Sequence, residues 1–188
     1  PPLLPRALPL TCMLLFLPLR SPLPPPPLSP PVRPITYWLD RSIPTEYRDT
    51  IREGVLAWNQ AFEAIGIQGA LEVKDATADQ PQDIVGKGQA IIRWMTNHRP
   101  NFGAIGPSHV DPRTGEILES HINWYHNVME LLRNWYFVQA SPNDARARKP
   151  KFDDELMGEL IRFVSSHEVG HTLGLRHNFG SSSSVPVE

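Results

Sequence analysis

SSHEVGHTLGLRHNFG, Ser165–Gly180, holds three of the seven histidines within sixteen residues, with a glutamate directly after the first of them. A helix turns about 100° per residue. His167 and His171, four apart, therefore lie roughly 40° from one another on one helical face. Two imidazoles in that relation can bind one metal ion without bending the backbone. Glu168 points roughly 100° around the helix, where its carboxylate reaches a water on the metal rather than the metal itself.

A catalytic zinc takes three protein ligands and leaves one position to water. On a continued helix His177 would lie about 9 Å further along the axis and off the face. It converges only if the helix ends and the chain turns back. Gly174 stands where a left-handed residue would make that ending. His167, His171, Gly174 and His177 thus predict a single Zn²⁺ site, with Glu168 beside it. A downstream acid such as Glu188 is an alternative third ligand, less well supported than His177. The pattern H-E-x-x-H-x-x-G-x-x-H is far more specific than its first five positions alone. His98, His109, His121 and His126 form no comparable set and read as surface or half-buried residues.

Working outward, the helix that carries the motif starts near Asp153, a capping residue, and runs through Leu156, Met157, Leu160, Ile161 and Val164. Before it, Asn127–Ala140 has a helical pattern, followed by a charged loop to about Phe152. Ile117–Tyr125 reads as a strand. It forms a hairpin with Gly103–Val110 across the turn residues DPRTGE, and Pro107 makes that first arm an edge strand. Further upstream, Ile35–Leu39, Ala70–Ala76 and Ala90–Met95 read as strands. Between the first two, Tyr47, Ile51, Val55, Trp58, Phe62 and Ile65 recur at steps of three and four. They predict one long amphipathic helix ended by Gly66. The order is strand, helix, four strands, helix, helix. That order predicts an α+β domain; a twisted mixed sheet of about five strands, with a backing helix and an active-site helix, is what the family resemblance of the histidine motif implies for it.

Thirteen of the 21 prolines fall in residues 1–34, and SPLPPPPLSPP reads as an extended linker. The apolar run Leu10–Leu19 is too short to span a bilayer and has the length of a signal-peptide core. On that reading the protein is exported, to the periplasm or the extracellular space. Residues 1–33 are set apart as a Pro-rich leader, signal-like or disordered, and 34–188 as the folded domain. The net charge is −2, and residues 1–34 contribute Arg6, Arg20 and Arg33 with no acid, so the domain proper is more acidic than the whole. That balance points away from nucleic acid as a partner. Cys12 is the only cysteine, so no cysteine ligates a metal in the domain.

The eleven-residue motif resembles that of the metzincin clan of zinc endopeptidases, and the element order agrees with that clan's N-terminal subdomain. FVSSHEVGHTLGLRHNFGSSSSVP, with IGPSHVDPRTGEIL and WYHNVMELLRNWYFVQA upstream, is similar to bacterial large zinc-dependent metalloproteases with a metzincin-type domain. The resemblance spans about residues 34–188. It implies that His167, His171 and His177 hold the zinc and that Glu168 is the general base towards a zinc-activated water. It implies a peptide or protein substrate laid along the edge strand at Gly103, Ala104, Ile105, Gly106, Ser108 and His109. It further implies that 126–152 is an insertion. The clan's methionine turn follows the third histidine. Here Met13, Met95, Met129 and Met157 all precede the motif, so a domain lacking the C-terminal subdomain is expected. The alternative reading is a catalytically incompetent zinc- or peptide-binding module. Retention of Glu168 favours the enzyme, since binding alone needs no base.

Overall fold

The computed structural model describes residues 27–77, 90–96, 104–180 and 183–184. Gly103, His98, Glu188, the apolar run 10–19 and the polar loop before Gly88 lie outside the described residues.

The first strand, β1 (Ile35–Leu39), alternates so that Tyr37 and Leu39 are buried. Asp40 and Ser42 then make a tight turn, the Ser42 amide donating to the Asp40 carboxylate at 2.9 Å. Pro44 opens α1 (Thr45–Leu56), which buries Ile51 and Val55. The expected single helix is two pieces, α1 and α2 (Trp58–Glu63). Ala57 between them stays right-handed, but Gln60 reaches back only three residues, to the Ala57 carbonyl at 3.3 Å, which tightens the turn. Gly66 adopts φ 91° and ends the helical run as expected, with Ile67 N–H bonding to Phe62 O at 2.9 Å. Ile65 does not join the apolar face. It lies beyond the last helical turn and is 48% exposed.

The strands β2 (Leu71–Asp75), β3 (Ala90–Met95) and β6 (Ile117–Tyr125) fall where the sequence places them. The expected edge strand is broken in two, β4 (Ala104–Ile105) and β5 (Ser108–Val110). Pro107 at the break has no N–H to give to a ladder. The sheet runs β2-β1-β3-β6-β4, with β5 also on β6. Pairings are parallel from β2 through β6 and antiparallel for β4 and β5, so the six-stranded sheet is mixed.

Odd and even positions of the strands face opposite sides of a sheet. Tyr37, Leu39, Ile92, Ile122 and Trp124 share the side that packs on α1 and on α4 (Asp154–Thr172), where they meet Ile51, Val55, Ile161 and Val169. Each such aliphatic side chain, fully buried, contributes about 1.5–3 kcal/mol. Tyr47, Trp94 and Trp124 stack in sequence, with centroid separations of 5.6 and 6.2 Å, and tie α1 to the sheet. The two helices approach closely where a Cβ on Gly54 would lie 2.5 Å from that of Ser165, so only glycine fits. α3 (Val128–Ala140) and a 3₁₀ turn at Ala145–Arg148 lead into α4. A small second core of Ala147, Phe152 and Leu156 lies there, and Arg146 bridges Asp144 and Glu159. Asp153 caps α4 by accepting from the Leu156 amide at 3.0 Å. The helix that carries the histidine motif is therefore fixed at its start, along its length by α1, and beneath by the sheet.

Candidate metal centre

His167 and His171 project from the last turn and a half of α4. The helix then stops as the motif requires. Gly174 has φ 93°, its amide bonds to His171 O at 2.9 Å, and the Leu175 amide bonds to Gly170 O at 3.0 Å. This paired arrangement with a left-handed glycine reverses the chain. The reversal brings His177 back over the helix end.

The three side chains converge on one point through the same ring atom. The Nε2 atoms of His167, His171 and His177 form a triangle with all three sides 3.1 Å. Zinc–imidazole bonds of about 2.0–2.1 Å in tetrahedral geometry put neighbouring nitrogens about 3.3 Å apart. The donor set therefore fits a zinc ion with one face open. Among the described residues, no other group of three His, Cys, Asp or Glu side chains lies close enough to hold a metal.

The tautomer of His171 is set by its other ring nitrogen. Nδ1 lies 2.8 Å from the Leu175 carbonyl, which can only accept, so the proton is on Nδ1 and the Nε2 lone pair of the neutral ring faces the triangle. The αL turn at Gly174 thus has two effects: it returns His177, and it brings the carbonyl that orients His171. Burial, and then the neighbouring His171 and His177, hold the His167 pKa below its ordinary value, which favours the neutral ring.

Glu168 lies on the inner side of α4 and is 8% exposed. Burial raises its pKa above the usual carboxylate range, partly offset by His171, by a hydrogen bond from the Gly106 backbone and by His177. Gly106 sits at the break between β4 and β5. A Cβ there would lie 2.9 Å from the Glu168 carbonyl and 3.1 Å from Thr172 Cγ2. The edge of the sheet therefore rests directly on the helix at the candidate base.

Of the other expected substrate-binding positions, Ala104 and Ile105 pair with Trp124 and Asn123 of β6. Ser108 and His109 pair with Ser120 and Glu119. β4 is the last strand of the described sheet, and Ile105 is 39% exposed on it. His109 is apart from the three-histidine cluster, its Nδ1 2.6 Å from Glu119 Oε1, and His121 is half-buried on the far side of the same glutamate.

Two contacts on this helix have no counterpart in the sequence reading. Trp58 Nε1 donates to the Ser166 carbonyl at 2.8 Å, and the Tyr37 hydroxyl lies 2.7 Å from Thr172 Oγ1. The Thr172 hydroxyl donates to Val169 O, so Tyr37 is the donor to Thr172. Periodicity placed Trp58 on an apolar helical face, and Tyr37 falls in the strand read at Ile35–Leu39, but nothing local in either segment indicates a partner more than a hundred residues away.

The profile of a family described as Met-zincin matches residues 149–188. That segment contains α4, the Gly174 turn and all three histidines. No curated protein and no solved structure gives a significant match. The match and the histidine geometry together support a zinc metallopeptidase-like domain. No helix among the described residues is long and apolar enough to cross a membrane.

Proposed function

We propose that this protein is a zinc-dependent endopeptidase in which Glu168 is the general base. The observation that carries the reading is the equilateral Nε2 triangle with a buried carboxylate on the adjoining residue of the same helix. His167, His171 and His177 are the ligands. When bound, the zinc supplies an acidified water and polarises the carbonyl to be attacked.

The remaining work falls to the protein. Glu168 takes a proton at its carboxylate and returns it to the leaving amine. A carboxyl whose pKa is raised by burial is better matched to both transfers than an ordinary one. Gly106 packs against Glu168 and limits where its carboxylate can lie, and the carboxylate keeps its accepting capacity for a proton. A substrate strand adds along β4 by main-chain hydrogen bonds, antiparallel to it, which lays a peptide bond beside Glu168.

Glu168→Gln keeps the shape and the Gly106 contact and removes the base. The variant should bind zinc as the wild type does and lose at least about a hundredfold in peptide hydrolysis. Equal hydrolysis of an unstructured protein substrate by both would remove Glu168 from the reaction. A wild type that binds zinc and cleaves nothing would identify a binding module.

A further inference from the structure

The ligand-bearing segment of α4 is bracketed by two hydrogen bonds from elsewhere in the fold. Trp58 holds the carbonyl of Ser166, the residue before His167, and Tyr37 holds the hydroxyl of Thr172, the residue after His171. Between them, the Trp58 ring lies against Gly170. A Cβ on Gly170 would meet Trp58 Cζ2 at 3.0 Å.

We propose that Trp58 is a positioning residue for the metal centre. Its indole N–H and ring edge set the rotation of α4 that brings the nitrogens of His167 and His171 into register with that of His177. This inference rests on the three histidines being the ligands.

The reason lies in how the three ligands are carried. His167 and His171 are rigidly linked through the helix, whereas His177 arrives on the segment beyond Gly174. Closure of the triangle therefore depends on how α4 is turned about its own axis. Apolar packing against the sheet constrains that rotation only softly, since side-chain contacts are non-directional. A hydrogen bond is directional. The Ser166 carbonyl has a second lone pair beyond the one its own helix uses, and the indole takes it. Glycine at 170 lets the ring come close enough to do so. Trp58 comes from α2, directly after the tightened turn at Ala57 that separates it from α1. The interruption of the backing helix thus has a consequence at the metal centre.

The test compares Trp58→Phe, which removes the N–H and the ring edge that meets Gly170, with Gly170→Ala, which pushes that edge away by a few tenths of an ångström. The readouts are zinc affinity, by competition with a chromophoric chelator, and the visible spectrum of the cobalt-substituted protein, which reports ligand geometry. Both variants should bind zinc about tenfold more weakly and shift the cobalt bands. The double variant should lose no more than the worse single one, because both act through one contact. Alanine is the better helix former, so weaker binding in Gly170→Ala cannot come from a weakened helix. Ile91→Val, a change at a buried position of β3 on the opposite face of the sheet from α4, controls for general loss of stability and should leave both readouts unchanged.

Wild-type zinc affinity and cobalt spectrum in both variants would overturn the inference and reduce Trp58 to packing, with the zinc site intact. A wild type without zinc affinity would overturn the metal reading and this inference together. Should Trp58→Phe fail to fold, Gly170→Ala decides alone.

Discussion

Gly106, at the break in the sheet edge, lies directly against Glu168 on α4: a Cβ there would stand 2.9 Å from the Glu168 carbonyl and 3.5 Å from its carboxylate. The candidate base is thereby held by the same stretch of chain along which a substrate would lie. Substrate edge and base cannot move independently.

Gly106→Ala tests this coupling. The added methyl would lie 2.9 Å from the Glu168 carbonyl and 3.1 Å from Thr172 Cγ2, and the nearer of these is backbone. Overpacking of this kind costs about 1–3 kcal/mol. Thermal unfolding should occur at a lower temperature, and peptide hydrolysis should fall more than zinc affinity does, since the base and the edge move while the histidines stay. Equal losses in hydrolysis and zinc affinity would show that the edge supports the ligands rather than the base.

Gly174→Ala places a side chain at φ 93°, a conformation that costs a non-glycine residue about 1–2 kcal/mol. The strain falls on the turn that carries both His177 and the Leu175 carbonyl. Zinc affinity should therefore drop along with stability, in contrast to Gly106→Ala. Gly174→Asn should recover part of both, since asparagine tolerates this region better than alanine. A chelator titration beside a thermal melt reads out the pair.

What the sequence disclosed follows from how local each feature is. The positions of His167 and His171, the stop at Gly174 and the return of His177 are properties of one helix end, and spacing alone predicts them. The same holds for the turn at Asp111–Glu116 and the cap at Asp153. The break between β4 and β5 was half visible: Pro107 marks an edge, but Gly106 packs against Glu168, more than sixty residues ahead in the chain. Ile65 fits the apolar period and yet is exposed, because the helical turn ends just before it. Trp58 and Tyr37 meet α4 across 108 and 135 residues, and no periodicity encodes a hydrogen bond over such a separation.

Tyr37 predicts an alkaline limit to stability. Burial pushes its pKa up to about 12, against about 10 in an unfolded chain. The folded state therefore favours the neutral phenol. This contribution is fully present below pH 10 and is lost as the pH rises towards about 12, a loss on the order of 2–3 kcal/mol. Tyr47 and Tyr136 are raised too, so Tyr37→Phe should flatten the loss rather than abolish it. Denaturant midpoints at pH 8, 10 and 11.5 measure the difference. Identical slopes for wild type and variant would mean that Tyr37 ionises freely and is not held under α4.

The central claim is that three imidazoles hold one zinc ion and leave a face open beside Glu168. X-ray absorption at the zinc edge of the metal-loaded protein measures that directly. The geometry predicts one zinc per chain, with three imidazole nitrogens at about 2.0–2.1 Å and a light-atom ligand completing a tetrahedral site. His177→Ala should remove one of the three nitrogens. A first shell of four protein ligands, a six-coordinate oxygen shell, or a spectrum unchanged by His177→Ala would contradict the account.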